Sequence, residues 1–183
     1  IVGGSSTGRG VVSTASYEAR AFGIHSAMPS VQAARLCPDA IWARPRFERY
    51  REFSHLIHEI FLSVTPRGEQ VSIDEAYLDA TPAPHDPVDP VVVARTIQQQ
   101  IDALGLSCSA GVATSKTVAK IASDREKPHG ITVVRPGQEQ TFLSPLPVGL
   151  LPGVGGATAT RLRDAGIRTI GNLAALDEPT AAA

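Results

Sequence analysis

Asp74 and Glu75 stand side by side inside a short apolar run, VSIDEAYLDAT, from Val71 to Thr81. Val71, Ile73, Tyr77 and Leu78 around them are β-formers, yet acids are depleted from strand interiors because an unpaired buried carboxylate is costly to desolvate. Chemistry that needs a hard cation gives such a pair a reason to exist. Mg²⁺ takes oxygen ligands, typically one or two carboxylates completed by water and substrate phosphates. Two such ions about 4 Å apart can clamp the attacking and leaving oxygens of a phosphoryl transfer. A regular strand, however, points successive side chains to opposite faces. Either the backbone turns or bulges at Asp74–Glu75, or only one of them binds directly, or the pair is simply a solvated hairpin loop.

The rest of the chain frames that segment. Gly- and Ser-rich residues 1–10 follow a strand end at Ile1-Val2, and 11–14 reads as a short strand. Ser16 is placed to cap a helix starting at Tyr17, with Gly23 after it, and Ser30 to cap a second helix ended by Cys37-Pro38. The clearest helix covers 46–64, where Tyr50, Phe53, Leu56, Ile57, Ile60, Phe61 and Val64 recur at three- and four-residue spacing. His55 and His58 lie on its polar side and read as solvated rather than metal-binding. Pro82 to Pro90 is an exposed connection. A helix over 91–104 ends at Gly105, and a strand-like stretch over 106–113 has small residues suited to close packing. Ser115 then caps a helix to about Arg125, and 131–134 makes another strand. Alternation of this kind implies an α+β fold with a sheet layered by helices on one face. Beyond Gly137 the chain turns helical, with Gly166 stopping one helix and Thr169 opening another.

Charge is locally uneven. Residues 1–44 hold four arginines against two acids, 45–136 hold ten bases against twelve acids, and the remainder three against four, for a total of −1. A nucleic-acid surface would therefore be local. No apolar run approaches the roughly 18 residues of a membrane span. The two cysteines, Cys37 and Cys108, form no CxxC and read as reduced thiols of a cytoplasmic protein.

Three further constellations carry chemistry. Tyr17 and Arg20 share a helix face, with Thr14 just upstream; a guanidinium grips phosphate oxygens bidentately. In SKTVAKIASDREKPHG, Lys116 and Lys120 are spaced i, i+4 and Lys127 follows the helix, without a Walker A pattern. In LPGVGGATATRLRDAGI, a Gly153-Val154-Gly155 turn between short helices has the layout of a helix-hairpin-helix. Such a turn holds DNA phosphates through backbone N–H groups, with Arg161 and Arg163 one turn in.

STASYEARAFGIHSAMP, SIDEAYLDAT, CSAGVATSKTVAKIASDREKPHGI and LPGVG, in this order, resemble the Y-family translesion DNA polymerases, most closely the DinB (DNA polymerase IV) branch. The resemblance implies a ferredoxin-like palm sheet with helices on one face, a small helical fingers module and a helical thumb. Residues 1–44 would be fingers, 45–136 palm and 137–183 thumb with the helix-hairpin-helix. Asp74 and Glu75 would be the catalytic, metal-binding carboxylates near a hairpin turn, serving two Mg²⁺ ions in the complete enzyme. Thr14, Tyr17, Arg20 and Lys127 would contact the triphosphate of the incoming nucleotide, with Lys120 nearby. Gly153, Val154, Gly155 and Arg161 would bind DNA. Implied partners are primer–template DNA, a deoxynucleoside triphosphate and, through parts beyond residue 183, a sliding clamp; the protein would be a monomer. Such polymerases also carry an upstream palm strand with a further metal-binding Asp and an aromatic steric gate, and a downstream little finger. Residues 1–183 contain neither, so the chain is expected to be incomplete and inactive alone. Two other classes compete: a non-catalytic relative acting as an accessory subunit, and a helix-hairpin-helix DNA-binding module joined to an unrelated α+β domain.

Overall fold

The computed structural model describes residues 1–82 and 88–176. The chain divides into two compact units, Ile1–Ser54 and His55–Ala183.

In the first unit, β1 (Val2–Gly3) pairs antiparallel with β2 (Val12–Thr14). Helix α1 (Tyr17–Arg20) starts where expected, because the Ser16 side chain accepts from the Ala19 N–H and satisfies one of the open donors of the first turn. Helix α2 (Ser30–Leu36) departs from the sequence reading. Its cap position is Pro29, and Ser30 is the first helical residue, fully buried, its hydroxyl without a hydrogen-bond partner. Proline at the cap presets an extended backbone, and the Ser30 N–H goes instead to the Gly10 carbonyl at 2.9 Å. Val12, Ala15, Ala19, Ile24, Met28 and Ala33 close the small core, with Trp42 and Cys37 packed on its edge.

Helix α3 (Phe47–Val64) runs across the division between the units. Its apolar stripe forms as the spacing requires, but along this helix only Ser54 is buried, and Leu56 is exposed.

In the second unit, β3 (Gly68–Gln70) and β4 (Ala76–Leu78) form an antiparallel hairpin, Gln70 opposite Ala76. The base of the hairpin is clasped by Arg67, which ion-pairs with Asp79 at 3.0 Å and donates to the Thr81 carbonyl. Helix α4 (Pro90–Ala103) is capped by Asp89, whose Oδ1 accepts from the Val91 N–H at 2.8 Å. The proline-rich connection before it lies largely outside the described residues. Ala94, Ile97 and Ile101 of α4 are buried as their spacing predicts. Strand β5 (Ala110–Val112), helix α5 (Lys116–Ser123) and strand β6 (Ile131–Val133) make a parallel β-α-β unit, with Ala110 opposite Ile131. Helices α4 and α5 both pack on this pair. Ser115 caps α5 through the Val118 N–H, and Val118, Ala122 and Val134 form the core beneath, joined by Phe142 and Leu143.

The α+β class holds. The single sheet expected for the middle region is realised, among the described residues, as separate two-stranded ladders, β3–β4 and β5–β6, beside β1–β2 of the first unit. Hydrophobic alternation identifies strands but carries no information on which strand edges meet.

The end of the described chain is helical: α6 (Glu139–Leu143), a 3₁₀ turn at Val148–Leu150, α7 (Gly156–Asp164) and α8 (Ile170–Ala174). Thr169 opens α8 with a full capping box, exchanging hydrogen bonds with Asn172. Among the described residues no helix is long and apolar enough to cross a membrane. Cys37 and Cys108 are free thiols, and burial, reinforced by the Asp102 charge, pushes Cys108 up to about 11.

Candidate functional site

The backbone turns at the adjacent acids. Asp74 and Glu75 do not lie in a strand; they end the five-residue turn 71–75 between β3 and β4. The turn closes when the Val71 and Ser72 N–H groups both donate to the Glu75 carbonyl, at 2.9 and 3.2 Å. Val71 and Ile73, read from sequence as flanking β-formers, are therefore turn residues, 54% and 48% exposed. Ser72, which sequence reasoning passed over, orients the first acid. Its hydroxyl donates to Asp74 Oδ1 at 2.7 Å and accepts from the Asp74 N–H at 3.3 Å. The signal was present as a Ser two residues before an Asp, a spacing at which side chain and backbone close local hydrogen bonds.

Glu75 is held from the neighbouring helix. Lys120 of α5 ion-pairs with Glu75 Oε1, and Lys116, one turn earlier, ion-pairs with Glu69 of β3. Burial works against the charge on Lys120. The Glu75 hydrogen bond and charge, aided by Asp124 and Tyr77, nevertheless hold its ammonium above the ordinary lysine value. Lys127 lies just past α5, at a cis Lys127–Pro128 peptide, and pairs with Asp124 at 2.6 Å.

Among the described residues no group of three or more His, Cys, Asp or Glu is gathered for a metal. The offered donor set is the carboxylate pair. It suits a hard ion such as Mg²⁺, which fills its remaining octahedral positions with water and phosphate oxygens.

In the first unit, Thr14, Tyr17 and Arg20 are brought together. Arg20 Nε donates to the Ala15 carbonyl at 2.9 Å and Nη2 to Thr14 Oγ1 at 3.4 Å, while its guanidinium sits 5.7 Å from the Tyr17 ring centroid. Tyr17 is 54% exposed. The result is a fixed fork with an aromatic hydroxyl beside it, a donor set fitted to phosphate oxygens.

The third cluster is the turn from the 3₁₀ segment into α7. Gly153 has φ +89°, a left-handed conformation that side chains resist, so glycine is required to reverse the chain there. Gly155 is the α7 cap and supplies no side-chain acceptor, leaving the first-turn N–H groups without a capping oxygen. Gly153, Gly155 and Arg161 are exposed, Val154 is half-buried, and Arg163 hydrogen-bonds to Thr160.

Residues 1–124 match the impB/mucB/samB family and residues 136–167 the helix-hairpin-helix motif of the same family. DNA polymerase IV of Alkalilimnicola ehrlichii is 51% identical over 170 residues, covering 92% of this chain and 48% of the relative. DNA polymerase IV of Halorhodospira halophila is 49% identical over 174 residues, covering 94% and 49%. The crystal structure of DinB from Sulfolobus solfataricus superposes with a TM-score of 0.88 at 34% identity, covering 98% of this chain and 53% of that one. An insertion ternary complex of Dbh DNA polymerase gives a TM-score of 0.85 at 34% identity, covering 98% and 54%. The chain spans about half the length of the curated relatives it matches.

An α+β body followed by a helix-hairpin-helix, matched by the solved DinB and Dbh polymerase structures, is the architecture of the Y-family DNA polymerases. Within that class, the chain belongs to the impB/mucB/samB family, on its DinB-type, DNA polymerase IV branch. The idea of a helix-hairpin-helix attached to an unrelated α+β domain falls, because the α+β region matches the same family as the motif.

Proposed function

We propose that these residues are part of a translesion-type DNA-directed DNA polymerase, which adds deoxynucleotides to a primer end in DNA damage tolerance. The observation that carries this reading is that Asp74 and Glu75 end an exposed hairpin turn, Asp74 held by the Ser72 hydroxyl and Glu75 by Lys120. Residues 1–44 serve as fingers, 45–136 as palm and 137–183 as thumb.

Asp74 and Glu75 hold divalent metal, two Mg²⁺ ions in the working enzyme. When bound, such ions lower the pKa of the primer 3′-hydroxyl and offset charge on the departing pyrophosphate. Arg20, fixed by Ala15 and Thr14, grips the triphosphate with Tyr17. Lys127 offers phosphate a point charge. Positioning of this kind is the main protein contribution to phosphoryl transfer. Backbone N–H groups at Gly153–Gly155, with Arg161, hold the phosphates of primer–template DNA without reading bases. The enzyme acts in the cytoplasm as a monomer and meets a sliding clamp through parts beyond this chain.

The test is single-nucleotide primer extension by the full-length protein. Asp74→Ala should lower kcat by about 100-fold or more, the scale of removing one electrostatic contact to a transition state. An unchanged kcat rules out the assignment. A protein that binds primer–template yet shows no Mg²⁺-dependent synthesis would instead be an accessory subunit.

A further inference from the structure

Two lysines of α5 reach across to the β3–β4 hairpin, and they are not equivalent. Lys116 pairs with Glu69, with both side chains about 60% exposed, and lies 5.5 Å from the Tyr77 ring centroid. Such a pair is screened by water and contributes little. Lys120 pairs with Glu75 and is only 30% exposed. Its partner, moreover, is one of the two acids of the turn, directly beside Asp74.

One oxygen of Glu75 is therefore already engaged by a cation supplied by the protein itself. A divalent ion approaching the same carboxylate meets both a competitor for that oxygen and a like charge at close range. The ammonium is on a flexible four-carbon stem, so it can withdraw without disturbing α5. Its helix is anchored independently by Val118, Ile121 and Ala122 in the core.

We infer that Lys120 is an exchangeable counter-ion for Glu75. It neutralises and orients the carboxylate while no metal is present, and gives it up when a divalent ion binds. Lys120 is thus a positioning residue acting through Glu75. The inference rests on reading the hairpin as a metal site. It goes beyond that reading in giving the apo site its own internal cation, and in making metal affinity a competition.

The test uses Mn²⁺ alone as the probe, titrated by calorimetry and by electron paramagnetic resonance into the full-length protein. Lys120→Met should bind Mn²⁺ about fivefold more tightly than the unsubstituted chain, the exchange of one partly screened ion pair. Lys120→Arg, which keeps the cation, should match the unsubstituted chain, as should Lys116→Met. Lys120→Gln serves in place of Lys120→Met if circular dichroism shows the latter unfolded. A purely structural strap would give the opposite sign, since losing it would loosen the site. Weaker or equal Mn²⁺ binding by Lys120→Met therefore overturns the inference while leaving the metal site intact. Equal tightening by Lys116→Met also overturns it, by reducing the effect to overall charge. If neither the unsubstituted chain nor Lys120→Met binds Mn²⁺, the hairpin reading itself fails.

Discussion

Gly111 of β5 lies directly under the Ala119 carbonyl of α5. A Cβ at Gly111 would stand 1.9 Å from that oxygen and 2.7 Å from the Ser123 nitrogen. Both are backbone atoms, so no rotamer change can make room, and the helix that carries Lys116 and Lys120 would have to lift from its strand. Gly111→Ala should cost about 1–3 kcal/mol or more of stability. Thermal or urea unfolding reads this directly, and a melting temperature equal to that of the parent would show that the contact is not as close as described.

Arg20 is held as a fork by the Ala15 carbonyl and the Thr14 hydroxyl. Arg20→Lys keeps the charge and loses the planar, bidentate geometry. In the full-length enzyme it should weaken nucleotide binding by about tenfold, the size of one charge-assisted hydrogen bond. Thr14→Val, which frees one arm of the fork, should have a smaller effect of the same sign. Equal affinity in Arg20→Lys would mean that charge alone matters at this position.

Arg161 is exposed in the last turn of α7, the helix that follows the Gly153–Gly155 turn. If it neutralises one DNA phosphate, Arg161→Ala lowers the slope of log affinity against log salt by about one. Gly153→Ala should weaken duplex binding through the backbone, because φ +89° costs an alanine about 1–2 kcal/mol. Fluorescence anisotropy with a duplex at several salt concentrations measures both. A salt slope unmoved by Arg161→Ala would take that residue out of the DNA contact.

Thr114 and Glu139 tie the segment before α5 to the start of α6. The Thr114 hydroxyl donates to Glu139 Oε1 at 2.6 Å. This bond, with the backbone N–H groups of Glu139 and Gly137, holds the Glu139 carboxyl below the usual range, against a small opposing effect of burial. A depressed carboxylate stabilises the fold above its unfolded pKa, near 4.3, and loses that contribution as pH falls through the lower folded value. The stability gap between the parent and Thr114→Val should thus be widest near neutral pH and close in acid. Thermal melts across that range check it; a gap independent of pH would assign the effect to packing.

Much of this protein was legible from its residues alone. Ser16, Ser115 and Thr169 cap helices where their position announced it, and Gly105 directly follows a helix cap in the left-handed conformation, whereas Gly23 lies two residues past the Ala21 cap of α1. The burial of Ala94, Ile97, Ile101, Val118 and Ile121 follows from helical spacing. Ser30 was the exception among the caps, because Pro29 immediately before it already fixes the backbone at the entry to α2. At the candidate site, the acid pair and the Thr14–Tyr17–Arg20 group could be named because each lies within a few residues of chain.

Caps, turns and helical faces act over three or four residues, so residue order alone decides them; the same holds for the presence of two neighbouring acids. What the folded chain had to decide was their setting. The turn that takes Asp74 and Glu75 out of the strands, the strand edges that pair, and the lysines that meet Glu69 and Glu75 from 47 and 45 residues away all depend on how distant segments pack. The Coulombic attraction between two side chains depends on their separation in space, and only packing brings α5 against the hairpin.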